Sequence, residues 1–195
     1  AEAPYRDFSE AVEDCYRMIA DYLHRNYVEN YAVFGHSMGS WIAYELVEKL
    51  KKDPTVDAPE RLFLSANTIP QTEVDRKTEQ YTDDEFWNWI YELGGMEKEL
   101  YEIAEFKDYI LPIIRNDYRI LENYAGEKVP VRDLAADIYM MGGRQDHISQ
   151  EEFMKWSQFT SQKFEFEWFD GNHFYFRKEP NRVVDYFCQK MQTES

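Results

Sequence analysis

Ser37 lies in the pentapeptide Gly35-His36-Ser37-Met38-Gly39, and a serine hydroxyl between two glycines can attack a carbonyl carbon if a neighbouring base takes its proton. The hydroxyl is a weak nucleophile at neutral pH, so the chain must also supply an imidazole and a carboxylate to orient that imidazole. There are four histidines to choose from. His36 is inside the pentapeptide. His24 falls in the last turn of an amphipathic stretch, where an imidazolium suits the helix dipole. His147 directly follows Asp146, and His173 closes the turn Asp170-Gly171-Asn172-His173. We expect His173 to be the base and Asp146 its carboxylate, because the order serine, acid, histidine, each just past a strand, brings all three to one end of a parallel sheet. Asp170 is the alternative acid, although its place in the same tight turn as His173 suits it better to bracing that turn. Asp146 also has a plain reading as part of the helix start near Ser149. The backbone N–H of Met38, next after the nucleophile, is expected to face the negative charge that collects on an attacked carbonyl oxygen.

These side chains need a frame. Tyr31-Ala32-Val33-Phe34 is a short apolar run of the kind a strand buried on both faces shows. After the pentapeptide, Ile42, Ala43, Leu46, Val47 and Leu50 recur at helical spacing. Strand, glycine-flanked serine and helix together make the sharp turn called a nucleophile elbow. Three further strands are expected: Arg61 to Ala66, Ala136 to Met141 broken off by Gly142-Gly143, and Phe164 to Phe169, whose apolar and charged residues alternate. Helices are expected over Asp7 to Tyr27, with Asp7 and Glu10 as a capping box, and after the Ser149/Glu152 box. A last one starts at Pro180, with Val183, Val184, Phe187 and Met191 on its apolar side. The class is α/β, in one domain over residues 1–195.

Between about residues 70 and 125 the pattern changes. No strand is readable, and three helical pieces follow one another, Thr82 to Leu93, Glu97 to Ala104 and Glu105 to Tyr124, the last expected to kink at Pro112. An insertion of this kind reads as a lid. Phe86, Trp87, Trp89 and Ile90 leave little polar face on its first helix. They are candidates to line the path of an acyl substrate, the plain alternative being ordinary core.

The chain of 195 residues is 44% hydrophobic and 17% aromatic, enough for a packed core. Thirty-eight acidic against 22 basic side chains give a net charge of -16, which disfavours nucleic acid and anionic membrane surfaces as partners. No apolar run has the length of a membrane span and no signal peptide opens the chain. Cys15 and Cys188 are in no metal or redox spacing; they are expected to be buried thiols, which with the rest points to the cytoplasm. Nothing in the pattern calls for a metal or another cofactor.

The motifs FGHSMGSWIAYEL at the elbow, ELGG at Glu92 to Gly95, RNDYRILENY at Arg115 to Tyr124, GGRQDHIS around Asp146 and DGNHFYF around His173 resemble those of the type II, or external, thioesterases that serve non-ribosomal peptide and polyketide synthases. The resemblance runs over nearly the whole chain. It implies an α/β-hydrolase fold with a helical lid and Ser37, Asp146 and His173 at the triad positions. The activity it implies is hydrolysis of acyl groups held as thioesters on the phosphopantetheine arm of a carrier protein, an editing task in antibiotic biosynthesis. A release thioesterase, a small-molecule carboxylesterase and a non-enzymatic acyl-carrier binding module are the alternatives. The family's sheet begins with strands and a glycine-rich loop that are not found here before Tyr31. A missing amino-terminal segment or a second chain is therefore expected to supply them.

Overall fold

The computed structural model describes residues 5–72, 78–126 and 128–192. By its internal contacts the chain divides into two compact units, one made of Ala1–Ala11 and Pro70–Pro130, the other of Val12–Ile69 and Val131–Ser195.

The second unit carries a four-stranded, wholly parallel sheet in the order β1 (Ala32–His36), β2 (Arg61–Ser65), β3 (Asp137–Gly143) and β4 (Phe164–Phe169). Parallel neighbours require crossover connections, and helices supply part of them: α2 (Met38–Leu50) between β1 and β2, and the short α6 (Gln150–Met154) between β3 and β4. This is the α/β-hydrolase arrangement expected. In β2 and β3 nearly every residue is buried, as strands covered on both faces must be. On one face Phe63, Tyr139, Met141 and Phe169 pack with Tyr175 and with Val183 and Tyr186 of the last helix, α7 (Pro180–Met191). The register pairs His36 with Ser65 and Ser65 with Met141. The carboxyl ends of β1 and β2 are therefore level and β3 runs two residues further, so the turns leaving the three strands share one end of the sheet.

Several local expectations are corrected. β3 runs through Gly142 and Gly143 instead of stopping before them. A Cβ on Gly142 would lie 2.4 Å from the Phe153 ring, and one on Gly143 only 2.1 Å from the Asn172 carbonyl oxygen. The glycines are there because neighbours come close, not because the strand ends. On α7 the buried partners are Val183 and Tyr186, while Val184 is 56% exposed and Met191 also reaches solvent. The helix turns Tyr186 inward because its ring reaches Phe169, Tyr139 and Phe63. Cys188 is exposed and Cys15 half-buried, so neither is the buried thiol expected.

The helical unit holds α3 (Asp83–Glu92), α4 (Lys98–Tyr101) and α5 (Ala104–Tyr124). Thr82 and Glu85 form a complete capping box at the start of α3. At the start of α1 (Phe8–Asn26) the box is only half made: Asp7 accepts from the Glu10 N–H, but Glu10 turns to the Arg6 backbone and guanidinium. Arg6 offers the carboxylate a backbone N–H and a charged guanidinium together, a stronger pair of donors than the Asp7 N–H alone. α5 continues as one helix through Pro112. Phe86, Trp87 and Leu111 are the buried centre, with Trp89, Ile90, Phe106 and Tyr118 half-buried around them. The Arg115 guanidinium stacks 4.7 Å over Phe86, donates to the Thr78 and Tyr81 carbonyls and pairs with Asp83. Phe86 and Trp87 thus hold this unit together.

No helix among the described residues is long and apolar enough to cross a membrane. The packing leads to a stability prediction. Phe86→Ala removes a fully buried ring and should lower stability by about 3–5 kcal/mol. Equilibrium urea unfolding measures it, and a loss below about 1 kcal/mol would contradict the burial described.

Candidate active site

The elbow is built from backbone geometry. Ser37 adopts φ 54° and ψ -126°, a left-handed conformation that a side chain disfavours. Hydrogen bonds on both sides hold it there. The Ser37 N–H donates to the Ser65 carbonyl at 2.8 Å, and the Ser37 carbonyl accepts from the Asn67 amide at 2.8 Å. Ser40, fully buried, donates its hydroxyl to the Gly35 and Ser65 carbonyls at 2.9 and 3.0 Å, tying the ends of β1 and β2 together under the turn. Gly35 is required because a Cβ there would lie 2.2 Å from the Gly39 carbonyl oxygen, whereas a Cβ on Gly39 would meet nothing within 4 Å. The Ser37 side chain makes no cap for α2. Met38 is the first residue of α2, and a first-turn N–H has no acceptor within its own helix.

The loop after β3 and the loop after β4 meet over Gly143. Arg144 N–H donates to the Phe169 carbonyl and Gln145 N–H to the Gly171 carbonyl, both at 2.9 Å. This brings Asp146 against His173: Nδ1 of His173 stands 3.0 Å from Oδ2 of Asp146. The Asp146 side chain is fully buried and that of His173 is 7% exposed. An ionised carboxylate only accepts, so Nδ1 of His173 carries the proton of this bond and Nε2 is left as the basic atom. Burial alone would push the Asp146 carboxyl up, but hydrogen bonds and charge from His147 and His173 outweigh it and hold the group well below the usual carboxylate range.

The His173 ring centre lies 5.0 Å from that of His36, the residue before Ser37. The Nδ1 of His36 shares a hydrogen bond with Ser65 Oγ at 2.9 Å, and Ser65 Oγ shares another with Tyr175 OH at 2.6 Å. Burial and, after it, the nearby His173 push the His36 imidazole down to about 4, so it stays neutral. Asp170, the alternative acid, is half exposed and points to Arg144, 3.5 Å away. Ligand atoms of Asp146, His147 and His173 lie within 4.8 Å of one another. Both Nδ1 atoms already face an Asp146 oxygen, so the cluster reads as hydrogen-bonded without an ion.

Residues 2–191 of the chain match the family described as "Thioesterase domain". The chain belongs to the thioesterase domain family. The chain is 32% identical over 154 residues to the phenyloxazoline synthase MbtB of Mycobacterium tuberculosis, covering 78% of the chain and 10% of that protein. It is 30% identical over 155 residues to the thioesterase PikA5 of Streptomyces venezuelae, covering 79% of the chain and 54% of that protein. The chain thus spans about a tenth and about half of the lengths of these two curated relatives. Among solved structures, ClbQ from the colibactin NRPS/PKS pathway superposes with a TM-score of 0.84 at 30% identity, covering 96% of this chain and 78% of that one. The type II thioesterase BorB from the borrelidin biosynthetic cluster gives 0.79 at 26%, covering 98% and 76%. The resemblance carried by the motifs therefore holds.

Ser40 and Tyr175 lie inside the quoted FGHSMGSWIAYEL and DGNHFYF motifs, and Ser65 and Asn67 lie at the end of the β2 run. What each of them bonds could not be read, because the partners come from other elements of the sheet unit. The packing at Gly143 makes a prediction. Gly143→Ala places a methyl against the Asn172 backbone and should lower stability by about 1–3 kcal/mol. Gly39→Ala, in open space at the start of α2, should match or exceed the wild type. Thermal melts of the two variants check this; equal melting temperatures would contradict the close approach.

Proposed function

We propose that the chain is a serine thioesterase that hydrolyses acyl groups from the phosphopantetheine thioesters of acyl or peptidyl carrier proteins. The observation that carries this is the buried Asp146 to His173 hydrogen bond, at the same end of the sheet as the strained Ser37 turn. Family membership and the type II thioesterase neighbours support the choice of a thioester over other acyl substrates.

In this reading Ser37 Oγ attacks the thioester carbonyl while His173 Nε2 takes the hydroxyl proton. The Met38 N–H donates to the developing oxyanion. The C–S bond breaks, the proton on His173 passes to the leaving sulfur, and the pantetheine arm departs as a thiol. His173 next takes a proton from water, whose oxygen attacks the Ser37 ester; the acid is released and Ser37 regains its proton. Asp146 keeps the imidazole oriented and stabilises its charged form in both halves. No metal or other cofactor enters. Of the four side chains considered for the acyl path, Phe86 and Trp87 are buried in the core of their own unit, and Trp89 and Ile90 pack half-buried around it. Removal of wrongly loaded acyl groups from a synthase is the task this chemistry suits.

Ser37→Ala and His173→Ala should each reduce kcat by about 10⁴-fold or more, and the double variant little further, because nucleophile and base act as one unit. Asp146→Asn should lose somewhat less. Hydrolysis is measured on an acyl carrier protein thioester, the matching acyl-coenzyme A and a simple ester. The carrier thioester is expected to give the highest kcat/KM. Equal rates on all three would favour a general carboxylesterase, and a Ser37 that neither hydrolyses nor reacts with a fluorophosphonate probe would favour an acyl-carrier binding module.

A further inference from the structure

Asp146 has two oxygens, and only one is used by His173. The other, Oδ1, accepts from the backbone N–H of His147 at 2.7 Å and faces Nδ1 of the His147 ring at 2.8 Å. One fully buried carboxylate therefore holds two imidazoles. The His173 ring is almost wholly enclosed, whereas the His147 side chain is 64% exposed. The two rings lie 6.1 Å apart and are close to parallel, at 26°. Any residue except proline would supply the backbone donor at position 147. The ring and its proton are what histidine adds.

We propose that His147 is a positioning residue that occupies the second oxygen of the catalytic acid and sets the pH at which His173 becomes a free base. This rests on the reading of Ser37, His173 and Asp146 as a triad. With both oxygens held, the carboxylate cannot rotate away from His173. The charge on His147 has a further effect. The ionisable groups facing it are Asp146 beside it, Glu152 of α6 and, across the ring gap, His173. The hydrogen bond to Asp146 raises the His147 pKa above its ordinary 6.5, burial opposes this, and the charges of Asp146 and Glu152 add to the rise. The shift favours the protonated, charged form of the His147 ring. A cation on Oδ1 takes up part of the carboxylate's charge and repels a second proton on His173. The base is freed at a lower pH than Asp146 alone would allow.

The sign is fixed by this argument. His147→Gln keeps an N–H donor for Oδ1 but carries no charge, so the acid limb of the kcat/KM profile should move to higher pH. Allowing for the exposure of His147, the shift is about one pH unit. His147→Lys keeps the charge without the ring and should leave the limb near its wild-type position. A purely structural role would not separate the two variants. The pH dependence of Ser37 reaction with a fluorophosphonate should show the same shift with no carrier substrate present. In the wild-type protein, an NMR titration of the His147 ring should fall above 6.5. An unmoved limb in His147→Gln, equal shifts in both variants, or a His147 ring titrating at or below 6.5 would each overturn the inference. If Ser37→Ala retains hydrolysis, the triad reading fails instead; if it is inactive and the limb still does not move, only the role of His147 is lost.

Discussion

Ser37 is held in a backbone conformation that its own side chain opposes, and much of the sheet unit is arranged around keeping it there. The left-handed φ costs on the order of 1–3 kcal/mol and persists because the surrounding bonds leave the chain nowhere else to go. The Ser65 carbonyl takes both the Ser37 N–H and the Ser40 hydroxyl, and the Asn67 amide holds the Ser37 carbonyl from the other side. The loop that carries Asn67 is itself fixed, since its carbonyls at Asn67 and Thr68 accept from the indoles of Trp156 and Trp41. The tension at one residue is thus spread over β1, β2 and the two tryptophans.

The second half of the candidate site depends on close approach. Gly143 lets the backbone of Asn172 come within a distance that a methyl group would forbid, and the loops after β3 and β4 then exchange hydrogen bonds. Asp146 and His173 are brought together by backbone, so their side chains need only short reaches. Tyr175, two residues past His173, anchors the loop below through Ser65 to His36. The strand that leads to Ser37 and the loop that carries His173 therefore share one buried polar chain, with a neutral imidazole at one end.

The four strands and their parallel order were legible because each is a short run with a clear apolar period, bounded by turn residues. The elbow was legible because its glycine, serine and flanking periods all occur within a few residues. That Asp146 and His173 would share one end of the sheet was legible from chain order; their roles belong to the proposal. What could not be read was everything set by distant neighbours. Gly142-Gly143 looks like a strand terminator until Phe153 and Asn172 are seen against it. Tyr186 and Val184 are equally apolar choices on α7, and only the ring cluster with Phe63 and Phe169 decides between them. Asp7 and Glu10 have the spacing of a capping box, but Arg6 claims the glutamate. The second oxygen of Asp146 belongs to the same class, although the adjacent Asp146-His147 pair was in plain view.

The strands pair strictly with their neighbours in sequence, β1 with β2, β2 with β3 and β3 with β4, and this has a kinetic side. The first and third pairings each close a modest loop, while the middle one must close across Asn67 to Ala136. Longer closures cost more chain entropy and slow the search. Two halves can therefore form early, one holding Ser37 and the other holding Asp146 and His173. Either half alone has only part of the candidate site. Ser37 and the Asp146–His173 pair share one sheet only once β2 meets β3, so the site is assembled by the strand pairing that closes the longest loop.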